Sequence, residues 1–125
     1  MTLPKTANVD AAPNFLANID AAAEFFRLQD ADSADARLVK LKSSLREMVT
    51  ILSWSPASGR PARFLSLRSA QGRLRVQSAM ALANSAGLPN LREYIADQHI
   101  VLYAHSESEV LLLALRHQRE LIYSA

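Results

Sequence analysis

The chain has 125 residues, half of them apolar, with 14 Lys and Arg against 12 Asp and Glu and no Cys. This length fits one domain that buries roughly two-thirds of its unfolded surface without disulfides or a structural metal, and the missing thiols exclude Cys-based zinc, thiol catalysis and redox switching. The longest apolar run, Val110 to Leu115, is far short of the roughly 20 residues of a membrane span, and Met1 to Lys5 lacks the features of a signal peptide. A soluble cytoplasmic protein with no cofactor and no membrane partner is expected.

The net charge of +2 is unevenly spread. Residues 48–92 hold Arg60, Arg63, Arg68, Arg73, Arg75 and Arg92 without a single acid, whereas residues 93–125 carry Arg116 and Arg119 against five acids. A basic middle of this kind suits an anionic partner, either nucleic acid or an acidic protein segment, and equally suits a solvated surface.

In chain order, Asp10 is placed to cap a helix starting near Ala11, with Pro13 tolerated in its first turn. Phe15, Ile19, Ala22, Ala23 and Phe26 recur at three- and four-residue steps on one face of that helix, which should end near Leu28. Gln29 to Asp32 reads as a short polar connector. Ser33 with Asp35 then marks a second helix, where Leu38, Leu41, Leu45, Met48 and Leu52 form an apolar seam. Ser55-Pro56 stops it, because the residue before a proline is pushed out of the α region. Two antiparallel helices over 10–54 follow.

Pro56-Ala57-Ser58-Gly59-Arg60-Pro61 is turn chemistry, Phe64 to Leu67 alternates weakly as a short strand, and Arg73 to Ala86 has a helical pattern. That pattern puts Val76, Met80 and Ala83 on one face and is closed by Gly87 and Pro89. From Leu91 the period changes to that of strands, at Leu91–Ile95, His99–Ala104 and Val110–Leu115, separated by hairpin-sized polar breaks. Val110 to Leu115 shows no polar alternation, so it is expected to be a central strand covered on both faces. The expected fold class is α+β: an N-terminal helical hairpin packed on a small antiparallel β-sheet, with an inserted helix-like segment over 62–89 and a β-meander over 91–125.

The hairpin, the Pro56–Pro61 turn after it, and the C-terminal run from Leu91 through Tyr94, Tyr103 and Val110 to Leu121 together resemble the RelE/ParE superfamily, the toxins of bacterial type II toxin–antitoxin systems. The long helices and the Pro-x-x-Gly-Arg-Pro turn are closer to the ParE branch. The stretch from Ala62 to Pro89 departs from the usual pattern, in which the chain reaches the Arg-bearing strand sooner. The resemblance implies a toxin that inhibits DNA gyrase by direct binding, is neutralised by a cognate antitoxin, and has no specific DNA binding of its own. For the other branch it implies a ribosome-dependent endoribonuclease cutting messenger RNA. An inert family member is the third reading.

The candidate side chains differ between these readings. For a nuclease, His117 is the acid or base, since an imidazole titrates near working pH, Arg116 or Arg119 the phosphate clamp and Tyr123 the stacking or orienting ring. His117, Arg119 and Tyr123 share strand parity and Arg116 does not, if the strand extends that far. The bland alternative is a solvated strand end. For a binding protein, Arg60, Arg63, Arg68, Arg92 and Arg116 face the acidic antitoxin or the target. His99, His105 and His117 show no metal-ligand spacing, so no metal is expected. Trp54 is read as a core or rim residue, Tyr94 and Tyr103 as packing residues with surface hydroxyls, and Glu93 as a cross-strand ion-pair partner.

Overall fold

A computed structural model of the chain describes residues 6–62, 80–88 and 90–119. Helix α1 spans Pro13–Gln29 and helix α2 spans Ala31–Trp54. Phe15 and Phe26 of α1 and Leu41, Leu45, Met48 and Leu52 of α2 are buried in one cluster, with Ile19, Ala22 and Leu38 packed partly against it. The apolar periodicity therefore marks the buried faces of both helices. Asp30 alone joins them, in place of a four-residue connector. Its N–H closes α1 on the Phe26 carbonyl at 3.0 Å, and its side chain opens α2 by accepting from the Asp32 N–H at 3.1 Å. Asp30 thus takes the capping role assigned to Ser33. A carboxylate one residue before the first turn reaches its free N–H groups, and Ser33 already lies inside the helix.

The start of α1 also differs from expectation. Ala12 is the N-cap and makes no side-chain cap bond, while Asp10 belongs to a strand, β1, over Asn8–Ala11. Local signals favour Asp10 as a cap, but pairing with a distant strand overrides them. The ends of β1 are fixed by Asn8 N–H to the Ser108 carbonyl at 2.9 Å and Ala12 N–H to the Leu112 carbonyl at 2.8 Å.

After α2 a 3-10 turn at Pro56–Ser58 leads to β2 at Arg60–Pro61. The expected strand at Phe64–Leu67, with Val76 of the expected helix, lies outside the described residues. Residues 80–85 are helical and end at Gly87, which takes φ 73, the left-handed conformation of a helix terminator. Ala83 is buried, whereas Met80 is exposed and does not share its buried face.

Strands β3 (Asn90–Ala96), β4 (His99–His105) and β5 (Glu109–His117) pair antiparallel, as the strand-like runs and the hairpin-sized polar breaks between them predict. The sheet is nonetheless mixed, in the order β1-β5-β4-β3-β2, because β1 adds in parallel beside β5. The position at the middle of that order belongs to β4, with β5 beside it. Leu102 pairs with Ala114 and Tyr103 with Leu112, so Leu113 is an extra residue in β5 and forms a bulge. Val110–Leu115 lacks polar alternation because both faces are covered: Val110, Leu112 and Leu115 face the helical hairpin, whereas Leu113 and Ala114 join a second cluster with Ala62, Ala83 and Leu88. The segment around Ala83 therefore helps to cover the sheet face that the hairpin leaves open. Among the described residues no helix is long and apolar enough to cross a membrane.

Candidate functional site

Three polar constellations are built on this frame. The first fastens the Pro56–Pro61 turn to the sheet. Tyr103 stands at the middle of β4 and is wholly buried. Its hydroxyl donates to the Pro56 carbonyl at 2.7 Å and accepts from the Gly59 N–H at 2.9 Å. The expected surface hydroxyl is thus corrected, since the turn folds over it. Burial raises the Tyr103 pKa, opposed in part by the Gly59 N–H and the positive charge of Arg92. Arg92, paired with Tyr103 across β3 and β4, donates from Nη1 to the Gly59 carbonyl at 2.9 Å and from Nε to His105 Nε2 at 3.1 Å. His105 Nδ1 lies 3.0 Å from the Ser106 carbonyl, which only accepts. The proton therefore sits on Nδ1, and Nε2 is the acceptor that Arg92 needs.

The second constellation lies on the opposite face of the sheet. Glu93 is 1 % exposed and stands between Arg60 at 3.5 Å and Arg116 at 3.9 Å. Arg60 and Glu93 are cross-strand partners of β2 and β3, as expected of Glu93, but the pair is buried rather than solvated. A buried carboxylate requires such compensation, because desolvation disfavours its charge.

The third is a cleft of about 700 Å³ where β4 begins and β5 ends, closed on one side by α1. His99 and His117 are register partners there, their rings edge to face at 5.2 Å. The His99 ring meets Phe26 edge to face at 6.2 Å, and the Arg37 guanidinium carbon lies 4.2 Å from the centre of the Phe26 ring. Arg119 also lines the cleft, and its backbone N–H donates to His117 Nδ1 at 3.1 Å. That bond places the neutral imidazole's proton on Nε2.

Of the residues singled out in the sequence, His117 and Arg119 come together in the cleft, but β5 ends at His117, so strand parity does not reach Arg119. Arg116 points away from His117, to Glu93, as alternate strand positions must. Arg60 and Arg116 are engaged with Glu93, and Arg92 with the turn and His105. Arg63, Arg68 and Tyr123 lie outside the described residues. Tyr94 packs partly against the hairpin cluster, and Trp54 is exposed at the end of α2. Arg37 and Phe26 were not identified as site residues from the sequence. Their only local signal is that both stand near the hairpin's tip, on helices whose pairing brings them under the end of the sheet.

No protein-family model matches the chain, and no curated protein matches it in sequence. Among solved structures it is similar to a chain of a chromosomal ParDE toxin–antitoxin system from P. aeruginosa, with 12% identity, a TM-score of 0.57, and coverage of 90% of this chain and 96% of that one. The likeness spans the helical hairpin and the sheet together, so this chain has the fold found in a ParDE toxin–antitoxin system.

Proposed function

We infer that this chain is the toxin of a type II toxin–antitoxin pair, that it acts by binding DNA gyrase, and that a cognate antitoxin silences it. The observation that carries this reading is the fold shared over 90% of the chain with a ParDE system. The Pro-x-x-Gly-Arg-Pro turn that resembles the ParE branch gives the reading its target, and here the turn is fastened by Tyr103 and Arg92 into a fixed shape. A rigid turn suits recognition by contact. His117 Nδ1 accepts from the Arg119 N–H, so the lone pair that a general base needs is already engaged, which speaks against the base role in RNA cleavage. The acid-free stretch of residues 48–92 supplies charge complementary to an acidic antitoxin segment.

The test is to induce the chain alone in a bacterium and pulse-label DNA and protein synthesis over the first minutes. DNA synthesis failing first, with His117→Ala still toxic, is the expected result. Protein synthesis failing first, with toxicity lost in His117→Ala and Arg119→Ala, would replace this reading with ribosome-dependent RNA cleavage. For the antitoxin, reversing Arg63 and Arg68 to Glu, while leaving Arg60 on Glu93, should weaken binding at low salt, and an unchanged affinity counts against the charge argument.

A further inference from the structure

The cleft at the end of β4 and β5 has a composition that binding to gyrase does not use. Among the described residues its lining holds Arg37, Arg116, Arg119, His99 and His117 and no carboxylate. Arg116 lies within ion-pair distance of Glu93, so the charge not compensated there is that of Arg37 and Arg119. Neither of these is in an ion pair among the described residues. Arg37 is held in place by its stacking over Phe26 and by donation from Nη1 to Gln29 Oε1 at 2.9 Å. A cation fixed this way loses little side-chain freedom when an anion arrives. The two cations come from different elements, Arg37 from α2 and Arg119 from the turn after β5.

The same cleft has an aromatic wall. Phe25 is 51% exposed and lines it beside Phe26, an arrangement with a hydrophobic cost unless something covers the ring. At about 700 Å³ the cleft matches a drug-sized molecule. The guanidinium groups of Arg37 and Arg119 select an anion, and a half-exposed phenyl ring selects a planar ring. We propose that this cleft binds a nucleoside phosphate, with the phosphate at Arg37 and Arg119 and the base against Phe25. The site stands whether or not the chain is a toxin. A free nucleotide and the phosphorylated end of a nucleic acid share this chemistry.

The experiment is titration calorimetry of the full chain at low salt with adenosine and guanosine 5′-monophosphates, the two nucleosides and inorganic phosphate. The nucleotides should bind, and the nucleosides and phosphate should each bind at least about tenfold more weakly, since each forfeits one half of the recognition. Arg119→Gln should cost about tenfold in nucleotide affinity, the worth of one charge-assisted contact. Its side chain lies in an exposed turn, so the fold does not depend on it. Phe25→Ala should cost about fivefold or more through lost stacking. A 5′-phosphorylated trinucleotide binding better than the mononucleotide assigns the site to a nucleic-acid end, and equal binding assigns it to the free nucleotide. Absence of nucleotide binding at millimolar concentration, full affinity in Arg119→Gln, or tighter binding of a Glu-rich peptide than of the nucleotides would overturn the proposal.

Discussion

Replacing Tyr103 by Phe removes one hydroxyl and strands two backbone groups, the Pro56 carbonyl and the Gly59 N–H. The expected loss is about 1–3 kcal/mol, read as a lower urea midpoint, because an unpaired buried polar group forfeits its full hydration. The same phenol makes stability depend on pH at the alkaline end. Its pKa is raised by burial above the ordinary 10.0, so the unfolded phenol ionises first. The stabilisation is complete below pH 10 and is lost as the pH rises through the folded value, and this part of the slope should vanish in Tyr103→Phe. A wild-type slope in the variant would assign it to another group. Glu93→Gln removes the carboxylate that Arg60 and Arg116 both approach, and should destabilise by about 2–3 kcal/mol, somewhat less than a fully buried pair because Arg60 keeps some exposure. Thermal unfolding checks it, and an unchanged midpoint would mean that the triad is already compensated elsewhere. The residue types at these positions are plain in the sequence, but their roles are not. Tyr103 sits in an apolar strand with nothing local to say that a turn more than forty residues earlier folds over its hydroxyl.

At the scale of elements, the Pro56–Pro61 turn depends on Gly59 for space rather than for backbone freedom. A Cβ there would lie 2.5 Å from the Glu93 carbonyl oxygen and 2.7 Å from the Tyr103 hydroxyl. Gly59→Ala should therefore destabilise by about 1–3 kcal/mol, as overpacking against backbone does, with the loss visible in denaturant unfolding. Asp30→Ala should cost about 1 kcal/mol by removing the cap of α2, whereas Ser33→Ala should cost much less. Equal effects would return the capping role to Ser33. The helices, their buried faces, the stop before Pro56 and the three C-terminal strands were legible, because their periodicity is set by local geometry and each is long enough to repeat it. Strand β1 was not, since four residues hold no readable alternation and their partners on β5 are just over a hundred residues away. The Leu113 bulge is equally silent in sequence, because every residue around it is apolar whichever face it takes.

For the whole molecule, the order β1-β5-β4-β3-β2 places β4 between two long partners, and all seven of its residues are buried. Its amides should exchange with solvent most slowly, near the global unfolding limit, while the edge strands β1 and β2 open more readily. Hydrogen exchange by mass spectrometry tests this, and protection of β1 equal to that of β4 would contradict it. The α+β class, the two amphipathic helices, the strand-forming C-terminal third and the uneven charge are written in neighbouring residues, because helix and strand periods, turn residues and charge are local properties. The mixed sheet, the interior polar anchors Tyr103 and Glu93, and the cleft where Arg37 and His99 join His117 and Arg119 emerge only in the folded chain. Those outcomes depend on strand pairing and helix packing between distant segments, where burial and hydrogen bonding override local preference.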